Sequence, residues 1–386
     1  MSSCKICGKE NCKKHSTLIG KTINIKEFSG SSPPEIFVGK WNYPNVYTGI
    51  LSPTEHGETQ IMSSPEIWHQ KKLSIKNILS LRNQLIYSRT QSNIKKLKTK
   101  FLETTKEIAM AEKPISAEYK LKEPIKKNLE NDSHTPLISK AAQIENVSLQ
   151  ENPKINKKVD YIVNDSDIKS KTALLELENS NIPTSTMIKL LSAGLLGMKK
   201  NRKLVPTRWA ITATDDTLSK EKIKKIKYYK EIEEFQLFES DYLGNFYKFL
   251  LIPDKFSFEV IEIAVKNFSF WTDYESFYGR KNYAESVTGA YYSNRLALTE
   301  YLEKIKRQSS CIVFREIRPQ YDSPLGVGIL RQTSREAFSK SPEKFSSLKE
   351  ALQKIQEKIV IPIEKFTSHS TILKNYNKQT KLNQFI

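Results

Sequence analysis

Apolar positions along the chain alternate between helical and strand spacing. From Ser64, the residues Leu73, Ile75, Ile78, Leu79, Leu81, Leu85 and Ile86 form a broad apolar helical face. Ile94, Leu97, Phe101, Ile108 and Ala111 continue a second helical stripe with a basic outer face, ended by Pro114. Ile115, Ala117, Tyr119 and Leu121 then alternate with polar residues and predict a half-buried strand, as does the apolar run from Ile36 to Val38. The stretch 123–150 is polar and without period and reads as a flexible linker or loop.

Beyond it, a helix from Met187 to Leu196 is expected to end at Gly197, and a basic amphipathic helix runs through Ile223 and Ile226. A hairpin follows with its turn at Gly244-Asn245, then a third strand around Phe258, Val260 and Ile261. Thr288-Gly289-Ala290 opens a helix to about Arg307. From Ser309 to Pro319, Cys311, Val313, Arg315 and Ile317 face one way while Ile312, Phe314, Glu316 and Arg318 face the other. Leu325 to Arg331 reads as a further strand, and Phe345, Leu348, Leu352, Ile355 and Ile359 as a last helix capped near Ser341. The pattern predicts an α+β core with a mixed or antiparallel sheet packed with helices. The parts are an N-terminal knuckle over 1–20, core segments over 21–122 and 151–362 flanking the 123–150 linker, and a flexible tail over 363–386.

Charge narrows the class of partner. Of 386 residues, 62 are Lys or Arg and 43 Asp or Glu, a formal net charge of +19 that points to a polyanion, either nucleic acid or an acidic membrane surface. No stretch approaches the roughly 18 apolar residues of a membrane span, and no apolar run follows the N-terminal charges. The expectation is a soluble, cytoplasmic protein with no membrane partner. The first three of four cysteines fall at Cys4, Cys7 and Cys12, followed by His15. Three thiolates and an imidazole at this spacing, with Gly8 at the turn, match a closed tetrahedral site for a structural Zn2+.

Several segments carry candidate chemistry. Gly30, Ser31 and Ser32, ahead of Pro33-Pro34, can present N–H groups and hydroxyls to an anion. Arg82 and Arg89, seven apart on the expected helix, can share an anion or face solvent. Asp165 and Asp167 read as the start of a helix, with Asp165 or Ser166 as N-cap, or as a metal or catalytic cluster. The densest segment is Arg202 to Asp216. It reads as a loop through Pro206 and Thr207 leading to a short strand around Trp209, Ile211 and Ala213. Arg202, Lys203 and Arg208 can meet phosphate, Asp215 and Asp216 can act as acid, base or metal ligands, and Trp209 can stack on a base. Arg280, Lys281, Tyr291 and Arg295 interleave cations with aromatics. Arg315, Glu316 and Arg318 sit on an otherwise apolar strand, where charges must be paired or meet a ligand. The segment from Arg202 to Asp216, the stretch from Arg280 to Arg295 and the strand carrying Arg315 to Arg318 together suggest an anion pocket.

The chain ends on Gln379-x-x-Leu382-x-x-Phe385-Ile386, which places Leu382, Phe385 and Ile386 on one side of a helical turn. It looks like the peptide by which repair proteins dock on the PCNA sliding clamp, with Ile386 in place of the usual second aromatic. Taken with Ser29-Gly-Ser-Ser-Pro-Pro34, Glu151-Asn-Pro153, Asp165-Ser-Asp167, Arg202 to Asp216, Gly289-Ala-Tyr-Tyr292, Arg315-Glu-Ile-Arg-Pro319 and the cysteine cluster, nearly the whole chain resembles the archaeal DNA-repair protein family NreA. The resemblance implies a DNA-damage-response protein of an archaeon, nucleoid-associated in the cytoplasm. It further implies adenosine nucleotide binding and removal of AMP from abortive DNA-ligation intermediates. The five histidines, His15, His56, His69, His134 and His369, form no His-x-His-x-His cluster, so histidine-triad chemistry is excluded. Catalysis would instead rest on cations such as Arg208 with Asp215, Asp216 or Glu316. The alternative is a non-catalytic DNA-binding adaptor tethered to the clamp.

Overall fold

The structure, a computed structural model, describes residues 24–125 and 134–376. These residues divide into two compact units, one within Met1–Thr217 plus Asp322–Gly328 and the other within Leu218–Tyr321 plus Ile329–Ile386. The α+β expectation is met, with one six-stranded mixed sheet in each unit.

In the first unit, β1 (Glu27–Ser32), β2 (Glu35–Val38) and β3 (Asn45–Ser52) precede α1 (Pro65–Gln70) and α2 (Ile75–Gln84). The single helical run expected from Ser64 to Ile86 is thus two helices. Ser64 and Ser74 each cap one by accepting the N–H of the third residue on, and Lys72 between them has φ +49°. Ile86 already belongs to β4 (Ile86–Asn93), which takes Arg89 off the helix that was to carry it beside Arg82. Arg82 instead is buried and donates to the carbonyls of Met62 and Leu137. The remaining elements of this unit are α3 (Lys100–Met110), β5 (Ile115–Leu121), β6 (Ala141–Leu149), α4 (Lys157–Asn164), α5 (Ser170–Asn179), α6 (Thr184–Ser192) and the first half of α7 (Thr207–Ile226), whose residues from Leu218 on belong to the second unit. The sheet order is β1-β5-β6-β4-β3-β2, antiparallel except between β6 and β4. Strand β6 overturns part of the linker expected at 123–150. Its buried Ala141, Ala142, Ile144 and Val147 are irregularly spaced, so no clean alternation shows in the sequence.

The densest segment also folds differently from expectation, since Trp209, Ile211 and Ala213 lie on helix α7 rather than on a strand. Pro206 stands just ahead of the first turn, where its missing N–H costs nothing, and its carbonyl accepts from Trp209 N at 2.8 Å and Ala210 N at 2.9 Å. Ala210, Thr214 and Leu218, four apart, form the buried stripe.

The second unit contains β7 (Phe235–Tyr242), β8 (Asn245–Ile252), β9 (Ser257–Ala264), β10 (Phe270–Glu275), α8 (Gly289–Ile305), β11 (Ser310–Ile317), most of α9 (Val327–Ser339), β12 (Glu343–Phe345), α10 (Leu348–Lys358), α11 (Ile363–Thr367) and α12 (Thr371–Tyr376). The β7–β8 turn is Leu243-Gly244, both at positive φ and flanked by the Tyr242–Asn245 pair, one residue earlier than expected. Strand β11 is central, parallel to β9 and antiparallel to β8. As its alternation predicts, Cys311 and Val313 enter one core with Tyr291 and Leu298, while Ile312 and Phe314 enter a second with Ile355 and Phe366.

Three expectations fail in this unit. Leu325–Arg331 is not a strand: α9 starts at Val327, and a short apolar run does not distinguish the two. The last long helix is capped by Ser347, not near Ser341. Residues 363–376 are not a flexible tail. Ile363, Phe366, Ile372 and Leu373 are buried, and Glu259 of β9 accepts from Ser370 Oγ at 2.5 Å and Thr371 N at 2.7 Å, anchoring α12. Helices of one or two turns carry too little periodicity to be seen in sequence.

Candidate nucleic-acid interface

A cavity of about 950 Å³ in the first unit is lined by Lys95, Lys96, Lys98, Lys106, Lys199, Lys200, Arg202 and Lys203, and by no carboxylate. Among the described residues, the ammonium groups of Lys95, Lys96, Lys98, Lys199, Lys200 and Lys203 make no ion pair. Eight like charges around one concavity repel one another and favour a polyanion that threads between them. For Lys106, burial pushes the amine down from its usual range, Glu103 opposes this, and Arg202 pushes further the same way.

Two segments build the walls. One is the loop from β4 to α3: Asn93 Oδ1 accepts from Lys95 N at 3.1 Å, Lys106 Nζ donates to Leu97 O at 2.9 Å, and Thr99 caps α3. The other runs from the end of α6 to Lys203. Gly194, at φ +71°, takes the position after the helix end that was assigned to Gly197; a Cβ there would lie 2.8 Å from Lys203 O. Arg202 fixes this wall by donating to Gly197 O at 2.7 Å, Val163 O at 2.8 Å and Asp165 O at 2.7 Å. Asp165 is therefore the C-cap of α4, not an N-cap. Its carboxylate closes the following turn by accepting from Asp167 N at 2.9 Å and Ile168 N at 3.0 Å.

The other expected residues lie elsewhere. Gly30, Ser31 and Ser32 belong to strand β1, not to an anion-cradling loop. Ser31 Oγ meets Ser116 Oγ at 3.1 Å and accepts from Gly57 N, and Ser32 Oγ donates to Leu51 O at 2.9 Å. A Cβ at Gly30 would lie 2.0 Å from Pro53 O, so close packing alone demands glycine there. On α7, Asp215 is fully buried, Arg208 and Asp216 are half-buried, and all three have partners.

In the second unit the charges placed on the apolar strand are satisfied internally. Arg315 Nη1 meets Glu262 at 2.6 Å and its guanidinium also donates to Asn245. Burial opposes that charge, but Glu262, Tyr247 and Tyr321 together outweigh it and hold Arg315 above its ordinary range. Glu316 accepts from Arg318 at 2.6 Å and from the N–H groups of Val360 and Ile361. Arg295 pairs with Glu275 at 2.8 Å and Arg280 with Asp273 at 2.9 Å, while Lys281 is exposed. Tyr291 is wholly buried against Phe258, so it offers no face to an adenine. Arg280, Arg295, Arg315 and Arg318 thus answer carboxylates of the fold, and the walls assigned to them in an anion pocket are not formed by their side chains.

Among the described residues no group of three or more His, Cys, Asp or Glu is placed to hold a metal ion, and no helix is long and apolar enough to cross a membrane. Cys4, Cys7, Cys12 and His15, and likewise Gln379, Leu382, Phe385 and Ile386, lie outside the described residues. Of the cationic cavity, sequence reasoning singled out only Arg202 and Lys203. The missed signal is the pair of dense runs Lys95-Lys-x-Lys98 and Lys199-Lys-x-Arg-Lys203.

Comparison with known proteins covers nearly the whole length. The chain is 32% identical to the DNA repair protein NreB of Archaeoglobus fulgidus over 97% of this chain and 96% of that protein. It is 33% identical to the DNA repair protein NreA of the same organism, over 90% of each. It is 30% identical to the DNA repair protein NreA of Haloferax volcanii, over 91% of this chain and 88% of that protein. No solved structure matches. Family models described as "Archaeal Nre, N-terminal" and "Archaeal Nre, C-terminal" match residues 2–272 and 275–385, and the chain belongs to the archaeal Nre family.

Proposed function

We propose that this chain acts in DNA repair and that the cationic cavity is where it grips the sugar-phosphate backbone. The observation that carries this reading is the carboxylate-free ring of eight cations, held open by the Arg202 clamp. Lysine ammonium groups act as adaptable point charges and suit a backbone read without regard to sequence. The relatives' description as DNA repair proteins supports the same role. In this reading Gln379, Leu382, Phe385 and Ile386 tether the protein to the PCNA sliding clamp, and Cys4, Cys7, Cys12 and His15 hold a structural zinc ion. Together these make a clamp-tethered DNA-binding adaptor.

The test is fluorescence anisotropy with a labelled nicked duplex. Lys199→Glu/Lys200→Glu/Lys203→Glu is expected to weaken binding at least tenfold while keeping the wild-type melting temperature; unchanged affinity overturns the assignment. Phe385→Ala is expected to abolish clamp binding and leave DNA affinity as it was.

Nucleotide binding and AMP removal form the second reading, favoured by Arg208 on the first turn of α7 beside the exposed Trp209, with Asp216 on the third turn of the same helix. Incubation with 5′-adenylated nicked DNA decides it. AMP release that is lost in Arg208→Ala and Asp216→Ala but kept without the last eight residues identifies an enzyme. No release with clamp binding intact leaves the adaptor.

A further inference from the structure

Three aromatic rings stand exposed in the first unit: Trp41 at 74%, Tyr43 at 44% and Trp209 at 45% exposure. Trp41 and Tyr43 sit on the turn joining β2 to β3, and Trp209 on the first turn of α7. The rings of Tyr43 and Trp209 lie 5.3 Å apart, tilted by 51°. Lys40 stands over the Trp41 ring at 4.7 Å.

Main-chain hydrogen bonds join this patch to both walls of the cavity. Ile94 N donates to Pro44 O at 3.0 Å, and Leu204 N donates to Ile94 O at 2.9 Å. Tyr43 is therefore one residue from a bond whose partner precedes Lys95, and that partner is in turn bonded to the residue after Lys203. Val38 N donates to Thr207 Oγ1 at 2.9 Å, fixing the start of α7 against β2. The turn itself is pinned by Gly39 N on Tyr47 O and Asn45 N on Asn42 O, both at 2.8 Å. The aromatics and the lysine-bearing walls are thus carried on one hydrogen-bonded scaffold.

We propose that Trp41, Tyr43 and Trp209 form a stacking platform for unpaired nucleobases, which makes single-stranded or flapped DNA the preferred ligand. The inference rests on the cavity reading above. Large aromatic side chains left in water lose the transfer free energy their burial would give, and an occupant recovers it. The charge alongside says which occupant. A backbone carrying one phosphate per nucleotide fits the lysines, while its bases, once unpaired, present flat faces to the rings. A duplex keeps those faces stacked inside and can use only the lysines.

The experiment compares a labelled oligothymidylate with a labelled duplex of the same length by anisotropy, using the full chain. For Trp41→Ala/Trp209→Ala, affinity for the single strand is expected to fall 10- to 100-fold and affinity for the duplex to change less than twofold, with Trp41→Phe retaining most of the single-strand affinity. In wild type the single strand is expected to quench tryptophan emission and the duplex is not. Circular dichroism and melting temperature confirm that each variant folds. Unchanged single-strand affinity in the double variant, with the lysine variant still weakened, overturns the platform alone. Loss in the tryptophan variant with none in the lysine variant overturns the cavity reading instead. Loss of clamp binding without loss of DNA affinity would make the patch a protein contact and overturn the platform.

Discussion

The Arg202 guanidinium donates to the main-chain carbonyl of Asp165 at 2.7 Å, closing the gap between the turn after α4 and the loop that carries Lys199, Lys200 and Lys203. Since the same side chain also holds Gly197 O and Val163 O, its planar fork serves three acceptors that one ammonium cannot reach together. Arg202→Lys is expected to lower stability by about 1–3 kcal/mol and to weaken DNA binding more than Lys203→Ala does. Thermal melting with parallel anisotropy titrations checks this. A variant with wild-type melting and affinity would show that the clamp is dispensable.

The Arg315–Glu262 pair gives a prediction about stability. Both side chains are buried, at 5% and 7% exposure, and their N–O distance is 2.6 Å. Removing one partner leaves a buried charge, so Glu262→Leu is expected to cost about 3–5 kcal/mol, and Arg315→Met/Glu262→Leu together much less. Denaturant unfolding of the two variants measures the difference. Equal losses would argue that the pair has a role other than mutual neutralisation.

Glu35 supplies a pH dependence. Burial pushes its carboxyl up, while Arg82 at 3.9 Å and Lys189 pull it down and Glu66 adds to the rise. The folded state then binds this proton more tightly than the unfolded chain. Its contribution favours folding below the ordinary carboxylate value of 4.5 and is lost as pH rises through the raised value. Glu35→Gln is expected to melt close to wild type at pH 4 and above it at pH 8. A gap that narrows with rising pH would contradict this.

Much of the second unit was legible in the sequence because its central strand is apolar on both faces and its hairpin carries Gly244. The opposed cores on either side of Cys311–Phe314 follow directly from the alternation. Two kinds of feature stayed hidden. Elements too short for a period, such as α11 and α12, take their order from a tertiary contact, here Glu259 with Ser370. Conspicuous charges misled in the opposite way: Arg295, Arg315 and Glu316 drew attention as site residues, yet each is paired within the second unit, Arg295 of α8 with Glu275 of β10, Arg315 with Glu262 and Glu316 with Arg318. The plain lysine runs that line the cavity are far apart in sequence. The Leu204 N–Ile94 O hydrogen bond, and the apolar cluster that Ile94 and Leu204 share, bring them to one place.

Zinc is a separate expectation. The purified chain should carry one zinc ion per molecule by elemental analysis, lost in Cys7→Ser and slowly extracted by chelators. Because the ligands are clustered at the N-terminus, metal loss is expected to leave the melting of the two sheets nearly unchanged. Absence of zinc from protein prepared with metal present would remove the site.

The grip of the lysine-lined cavity on DNA is electrostatic, and the salt dependence of binding measures it. Affinity for a fixed duplex should fall linearly on a logarithmic plot against salt, with a slope near −0.9 for each phosphate neutralised. Replacing Lys199, Lys200 and Lys203 by alanine should flatten that slope by about 1 per lysine lost. A triple variant whose slope and affinity match wild type would place the DNA elsewhere on the molecule and contradict the account.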